Sequence, residues 1–428
     1  MRDKRRLLEW GKNILIVLLT LSAALLLSMT PLIQDSGLAE LFRPGSPDGG
    51  GSSGGVQAGP VLPARLAVYR EGERYGLQYD DGQVEELFTA FGPLLGEALA
   101  GAGEPAPITE EQWRDSLKHN GVYFDFSGGV PLAALARWLG GGEGVLPGSA
   151  RRMVLVAGED DQVALCWRDA GDGGFYACPT PLSLSLHLEP ALESVTPNGA
   201  YFAFEDGDLD QLLAPYTLIA GGEGEGARYA VSTPLSTAAG LESLLDALAF
   251  NSQNHAPGSN GEVYPDGADR LVVRDGETVT YRAAQGGKYP VDSRNGTTSA
   301  AQAADGARAL AERAMGSLCG EARLYLISVL EYGGGWRVRF GYRLDGSAVY
   351  LYDEGWAAEF LVRGGYITNF TLRLRCYTAD GSGALLLPID RAAALLPDLT
   401  REKRELVIQY RDGGGNTAAP GWEAVLSE

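Results

Sequence analysis

The chain has 428 residues, 45% of them apolar, which is more than one hydrophobic core usually serves and predicts two or three domains. Its formal charge of −20 and the lack of a basic stripe argue against nucleic acid as a partner, because an acidic surface repels phosphate backbones. Four cysteines over this length exclude a disulfide-dense scaffold.

Residues 1–13 form a basic leader, in which Arg2, Lys4, Arg5, Arg6 and Lys12 precede an uncharged apolar run from Ile14 to Ile33. Twenty residues at the helical rise span about 30 Å, the hydrocarbon thickness of a bilayer, so residues 14–33 are expected to form a transmembrane helix. The basic flank predicts a cytoplasmic N-terminus and an extracytoplasmic remainder. A retained anchor is favoured over a cleaved signal, whose apolar core is shorter; Thr30-Pro31-Leu32-Ile33-Gln34 also makes a poor cleavage site. No cysteine precedes Cys166 to carry a lipid. Charge divides the same way: residues 1–12 hold five Lys/Arg and two Asp/Glu, and the rest holds 30 against 53, a net of −23. In the anchor, Ala24 and Ser28 stand four apart on one helix face, a candidate contact for a second membrane helix. Residues 34–63, dominated by Gly, Ser and Pro from Pro44 onward, lack the apolar content to pack and read as a tether.

Residues 64–232 read as an N-terminal α+β domain. Alternation in ARLAVYR and RYGLQYD predicts a hairpin, and VEELFTAFGPLLGEALA has helical spacing that Pro93 is expected to kink or divide. Thr109-Glu110-Glu111-Gln112 fits a capping box opening a short helix. GVYFDFS alternates as a strand, and PLAALARWL opens as a helix on Pro131. MVLVAG, QVALCW, GFYAC and AYFAFE read as further strands. A smaller α+β unit, residues 233–298, follows with helix GLESLLDALAF and strands DRLVVRD and ETVTYRA. Residues 299–428 open with an Ala-rich helix, AAQAADGARALAERAMG. LYLISVLEY, WRVRFGYRL, WAAEFLVRGG and YITNFTLRLRCYT come next, each alternating with period two. The fold class expected is α+β: helices packed on antiparallel sheets, in two or three extracytoplasmic modules.

No active-site motif is present, and no cofactor, metal or catalytic residue is expected. His119, His187 and His255 lie far apart without ligand spacing. Asp206-x-Asp208-x-Asp210 opens like a calcium loop, but Gln211 stands where a turn Gly is required and Thr217 where a bidentate Glu is. Cys166 and Cys178 flank a Gly/Asp turn and would face each other if the turn centred on Asp172, a candidate disulfide; two reduced core thiols are the equal alternative. Trp336, Tyr350, Tyr352 and Trp356 cluster in the C-terminal strands. Core packing accounts for most strand aromatics, and any left exposed form a candidate partner surface.

Three stretches resemble the YycH/YycI group of two-component-system regulators of Gram-positive bacteria. They are Gly121–Ser127 followed by Val130-Pro131 and a helix; WRVRFGYRLDGSAVYLY with YITNF; and the tail LVIQYRD followed by Ala419-Pro420-Gly421-Trp422-Glu423. The resemblance implies a single-pass membrane protein that tunes an essential sensor histidine kinase governing cell-wall metabolism, with a second accessory membrane protein as a further partner. It carries no catalytic residues. The alternatives are an extracytoplasmic ligand- or wall-binding module, and an envelope enzyme or protease inhibitor without a familiar motif.

Overall fold

The computed structural model describes residues 61–221, 225–284, 286–293, 296–352, 355–395 and 404–426. The leader, the expected membrane helix with Ala24 and Ser28, and the tether up to residue 60 lie outside them. Among the described residues no helix is long and apolar enough to cross a membrane.

The chain is α+β, built on two large sheets. The first has seven antiparallel strands: β1 (Arg65–Arg70), β2 (Glu73–Gln78), β3 (Ala106–Ile108), β4 (Gly121–Pro131), β5 (Ser149–Ala157), β6 (Gln162–Asp169) and β7 (Phe175–Ser183), in the order β2-β1-β4-β5-β6-β7-β3. Glu71 and Gly72, both at positive φ, close the β1–β2 hairpin. Helix α1 (Asp81–Ala100) runs unbroken through Pro93, capped at its start by the Asp80 carboxylate on the Gln83 amide. Its fully buried Phe91, Leu95 and Leu99 hold it to the core, so tertiary packing overrides the local cost of proline. Thr109 and Gln112 form the expected capping box of α2 (Glu110–Ser116), and α3 (Leu132–Trp138) begins directly after Pro131.

Short elements connect to the second sheet: α4 (Glu189–Glu193), the strand pair β8 (Tyr201–Phe202) and β9 (Leu218–Ile219), and α5 (Leu209–Leu212). The second sheet has fourteen strands. Its first part comprises β10 (Glu225–Ser232), β11 (Ala256–Gly258), β12 (Gly261–Asp266), β13 (Asp269–Arg274), β14 (Thr278–Arg282) and β15 (Tyr289–Pro290), with α6 (Ala238–Ala247) between β10 and β11. After α7 (Ala300–Met315) come β16 (Arg323–Tyr332), β17 (Gly335–Leu344), β18 (Ser347–Leu351), β19 (Ala358–Arg363), β20 (Tyr366–Arg373) and β21 (Cys376–Leu385). Helix α8 (Ile389–Ala394), β22 (Arg404–Asp412) and β23 (Thr417–Leu426) close the chain. The order is β11-β12-β13-β14-β20-β19-β17-β18-β22-β23-β10-β21, with β15 on β20 and β16 on β17. Only β18–β22 is a parallel pair among the named strands.

Hydrogen bonds cross both boundaries that the sequence placed at 232/233 and 298/299. Strand β10 pairs with β21 and β23, and β14 pairs with β20, so the expected middle unit is an arm of the large sheet. The described residues, from Val61 on, pack as one compact unit. One apolar core runs from the first sheet (Leu66, Phe124, Leu155) through α1, α3 and α7 (Phe91, Leu135, Leu310) to the second (Val338, Phe360). Ala134 of α3 meets Ala301 and Ala304 of α7, small side chains that let the helices approach. Strand β4 also lies against β16: a Cβ on Gly128 would sit 2.3 Å from the Leu326 carbonyl oxygen, so only glycine fits there.

Candidate functional site

The two sheets meet at a buried ionic junction. Along β4, Val122, Phe124 and Phe126 enter the main core, while Tyr123 and Asp125 point to the opposite face. Register sets Arg65 of β1 and Arg152 of β5 on either side of Asp125, a plus–minus–plus row across three strands. Register shifts at Asp125/Val130 and Ala150/Met153 bring the consecutive residues Arg151 and Arg152 onto the same acids, which a regular strand would not. Glu405 of β22 enters from the second sheet. Arg151 Nε and Nη2 hold Asp125 at 2.8 and 3.0 Å, and Nη2 also reaches Glu405 Oε2 at 3.0 Å. Arg152 Nη2 donates to Glu405 at 2.6 Å; Arg65 Nη1 donates to Glu405 and, at 3.3 Å, to Asp125. Both carboxylates are fully buried and the arginine side chains are at most 12% exposed. Burial alone would push the Asp125 and Glu405 carboxyls up. Arg151 first, then Arg65 and Arg152, outweigh it and hold both well below the usual carboxylate range.

Beside this junction lies a cleft of about 370 Å³ between the end of β2 and strands β18, β22, β23 and β10. Its lining is largely polar: Gln78, Asp80, Gln83, Asn198, Asp345 and Ser347. The Ile408 amide donates to the Tyr79 hydroxyl at 3.1 Å, and the Tyr79 ring meets Trp422 edge-on. Gly346, at positive φ, brings the β17–β18 turn against the Tyr79 backbone, where a Cβ would come within 3.1 Å. Asp345 of that turn accepts from the Tyr229 hydroxyl at 2.8 Å, and burial pushes its carboxyl up.

The four aromatic residues of the candidate partner surface do not form one face. Trp356 is 6% exposed, with the Arg373 guanidinium 3.8 Å from its ring. Tyr352 is half-buried and donates its hydroxyl to Glu277. Tyr350 is exposed. Trp336 lies at the far end of β17, its indole N–H donating to Thr298 O at 2.7 Å. Tertiary contacts explain the scatter: alternation alone would put Tyr350 and Tyr352 on one face, but Tyr352 lies just past the end of β18 and is drawn to Glu277. Trp336 does border an exposed patch that sequence reasoning missed, at the Tyr332–Gly335 turn between β16 and β17. Leu330 and Tyr332 are 49% and 46% exposed, and Arg337 and Arg363 stand 4.6 and 6.0 Å from the Tyr332 ring.

The Cys166–Cys178 disulfide is not formed; both thiols are free and buried. Cys166 pairs with Ala177 and Cys178 with Leu165, because Asp169 organises a turn centred half a residue before Asp172. That offset puts Cys166 in the Trp113–Tyr123 cluster on one face and Cys178 in the main core on the other. Asp206 accepts the Asp208 and Leu209 amides in a local turn, and no metal-binding group of His, Cys, Asp and Glu occurs among the described residues.

Two wide, mainly antiparallel sheets, joined by a polar seam and shared helices, define the class: an α+β protein whose halves meet through buried ions. Among solved structures this architecture is similar to the crystal structure of YycH from Bacillus subtilis, with a TM-score of 0.54 over 86% of this chain and 94% of that one. The two sequences are 10% identical, so the likeness concerns the fold. No family model and no curated protein matches the sequence.

Proposed function

We propose that this chain is a membrane-anchored, non-catalytic regulator that modulates a sensor histidine kinase of a two-component system controlling cell-envelope metabolism. The observation that carries this reading is the fold shared with YycH over most of both chains. The reading places residues 14–33 in the membrane with the N-terminus cytoplasmic, and the two sheets outside. It makes the kinase, together with a second accessory membrane protein, the partner. Such a regulator needs only a different affinity for two states of its partner. The exposed Leu330 and Tyr332 at the end of β16 give the extracytoplasmic part a surface for protein contact.

The test is photo-crosslinking in native membranes from Ala24 and Ser28, with mass spectrometry of what is captured. The reading predicts a sensor histidine kinase. Capture of wall-synthesis or protease components instead, or of nothing while the protein is abundant and folded, overturns it.

A further inference from the structure

The ionic junction holds three guanidinium groups against two carboxylates, and its outer side opens into a pocket of about 240 Å³ lined by Arg151, Arg152, Arg168, Asp169, Ala170 and Gly173. That volume is several times the roughly 30 Å³ share of one water in the liquid. Arg152 is 3% exposed, and its Nε has no hydrogen-bond partner, the nearest acid oxygen being Asp125 Oδ2 at 3.6 Å. Arg151 spends Nε and Nη2 on the two acids. Arg168 stands at the rim, half-buried, with Nε donating to Gly173 O at 3.4 Å. The nearby acids have hydrogen-bond donors of their own but keep their charge: Asp169 is part of the lining, and Arg168 is among the cations that hold the Glu110 carboxyl down. Asp169 accepts the amides of Ser149, Gly171 and Asp172; Glu110 accepts from Arg114 and from the Tyr216 hydroxyl. A buried surplus cation is costly without a counter-charge, and guanidinium groups match oxyanions through paired N–H donors.

We propose that this pocket is a binding site for a phosphate-type oxyanion, which completes the charge of the junction between the two sheets. The site is local, on a chain that is acidic as a whole. It does not depend on the regulator reading. By bridging Arg168 to the Arg151/Arg152 pair that grips Glu405, the anion ties ligand occupancy to the seam between the sheets.

The test is calorimetric titration and thermal unfolding of the full chain with inorganic phosphate, and in a parallel arm with glycerol phosphate, against chloride at equal ionic strength. The expected result is saturable binding with a rise in melting temperature. Affinity falls at least tenfold in Arg168→Gln and is partly restored in Arg168→Lys, both of which keep the wild-type circular dichroism spectrum. A response to inorganic phosphate alone assigns a free anion; a response to both assigns a phosphate monoester. No saturable response to either, or an undiminished one in Arg168→Gln, overturns the proposal.

Discussion

Arg375 and Asp412 lie side by side within the second sheet, whereas Arg65, Arg151 and Arg152 meet Asp125 and Glu405 across the seam between the two sheets. Both clusters are buried, and their charges are unbalanced in opposite senses. In the first, Arg375 grips Asp412 with two bonds of 2.9 Å and reaches Glu277 at 3.3 Å, one cation against two acids. The surplus negative charge is met by neutral donors: the Tyr377 hydroxyl and Gly414 amide on Asp412, both at 2.9 Å, and the Tyr352 hydroxyl on Glu277. The seam has three cations against two acids. Its surplus needs acceptor oxygens, and Nε of both Arg65 and Arg152 is left without one. Carboxylates in excess are readily satisfied inside a protein, where hydroxyl and amide donors are plentiful. Guanidinium groups in excess are not; an unpartnered Nε recurs at Arg114, Arg337, Arg343 and Arg404, and what sets the seam apart is that three guanidinium groups share two carboxylates beside a pocket.

The contrast is broken most severely at Glu405. Glu405→Gln leaves three buried cations facing Asp125 alone and is expected to cost about 3–5 kcal/mol by urea denaturation. A loss below about 1 kcal/mol would mean that the seam is wetter and looser than its burial implies. Acid tests the same groups without mutation. Since the folded state holds Asp125 and Glu405 below their ordinary values of 3.8 and 4.5, their stabilisation is complete above that range and is lost as pH falls through it toward the depressed values. Wild-type stability therefore drops with acid, and Glu405→Gln, measured in parallel, follows a flatter curve. Within the second sheet, Tyr377→Phe removes one neutral donor from Asp412 and is expected to cost about 1.5–3 kcal/mol, the range for hydrogen bonds to charged groups. The smallest effect belongs to Tyr350→Ala, which removes an exposed ring from the strand next to β22 and should change stability by no more than about 0.5 kcal/mol.

The sequence was most legible where the signal is local. Period-two alternation located β1, β2, β4, β17 and β19, apolar runs between turn residues located β5, β13 and β14, and the capping box located the start of α2. The pattern around Pro93 was not enough, because buried Phe91, Leu95 and Leu99 settle whether that helix continues. The Cys166–Cys178 pairing turned on half a residue of turn geometry, which Asp169 decides through its own side chain. The seam was not legible: Arg65 and Glu405 are 340 positions apart. What the sequence did contain was Asp125 inside GVYFDFS and Glu405 just before LVIQY, charged residues embedded in apolar strands. A buried charge needs a partner, but the sequence does not say which. Trp336, Tyr350, Tyr352 and Trp356 failed as one surface for the same reason. Strand alternation and tertiary contacts, not proximity along the chain, choose which aromatic ring is left outside.

The surplus cation at the seam is tested most directly with Arg152→Met, which removes the charge while keeping an apolar side chain of related shape. Urea denaturation would be run on wild type and variant, each in phosphate-free buffer and in phosphate at matched ionic strength. With a surplus cation at the seam, the variant is expected to be at least as stable as wild type without phosphate, and phosphate is expected to stabilise the wild type alone. A variant several kcal/mol less stable in both buffers would show that all three arginines are needed to balance Asp125 and Glu405, and that the seam carries no unmet charge.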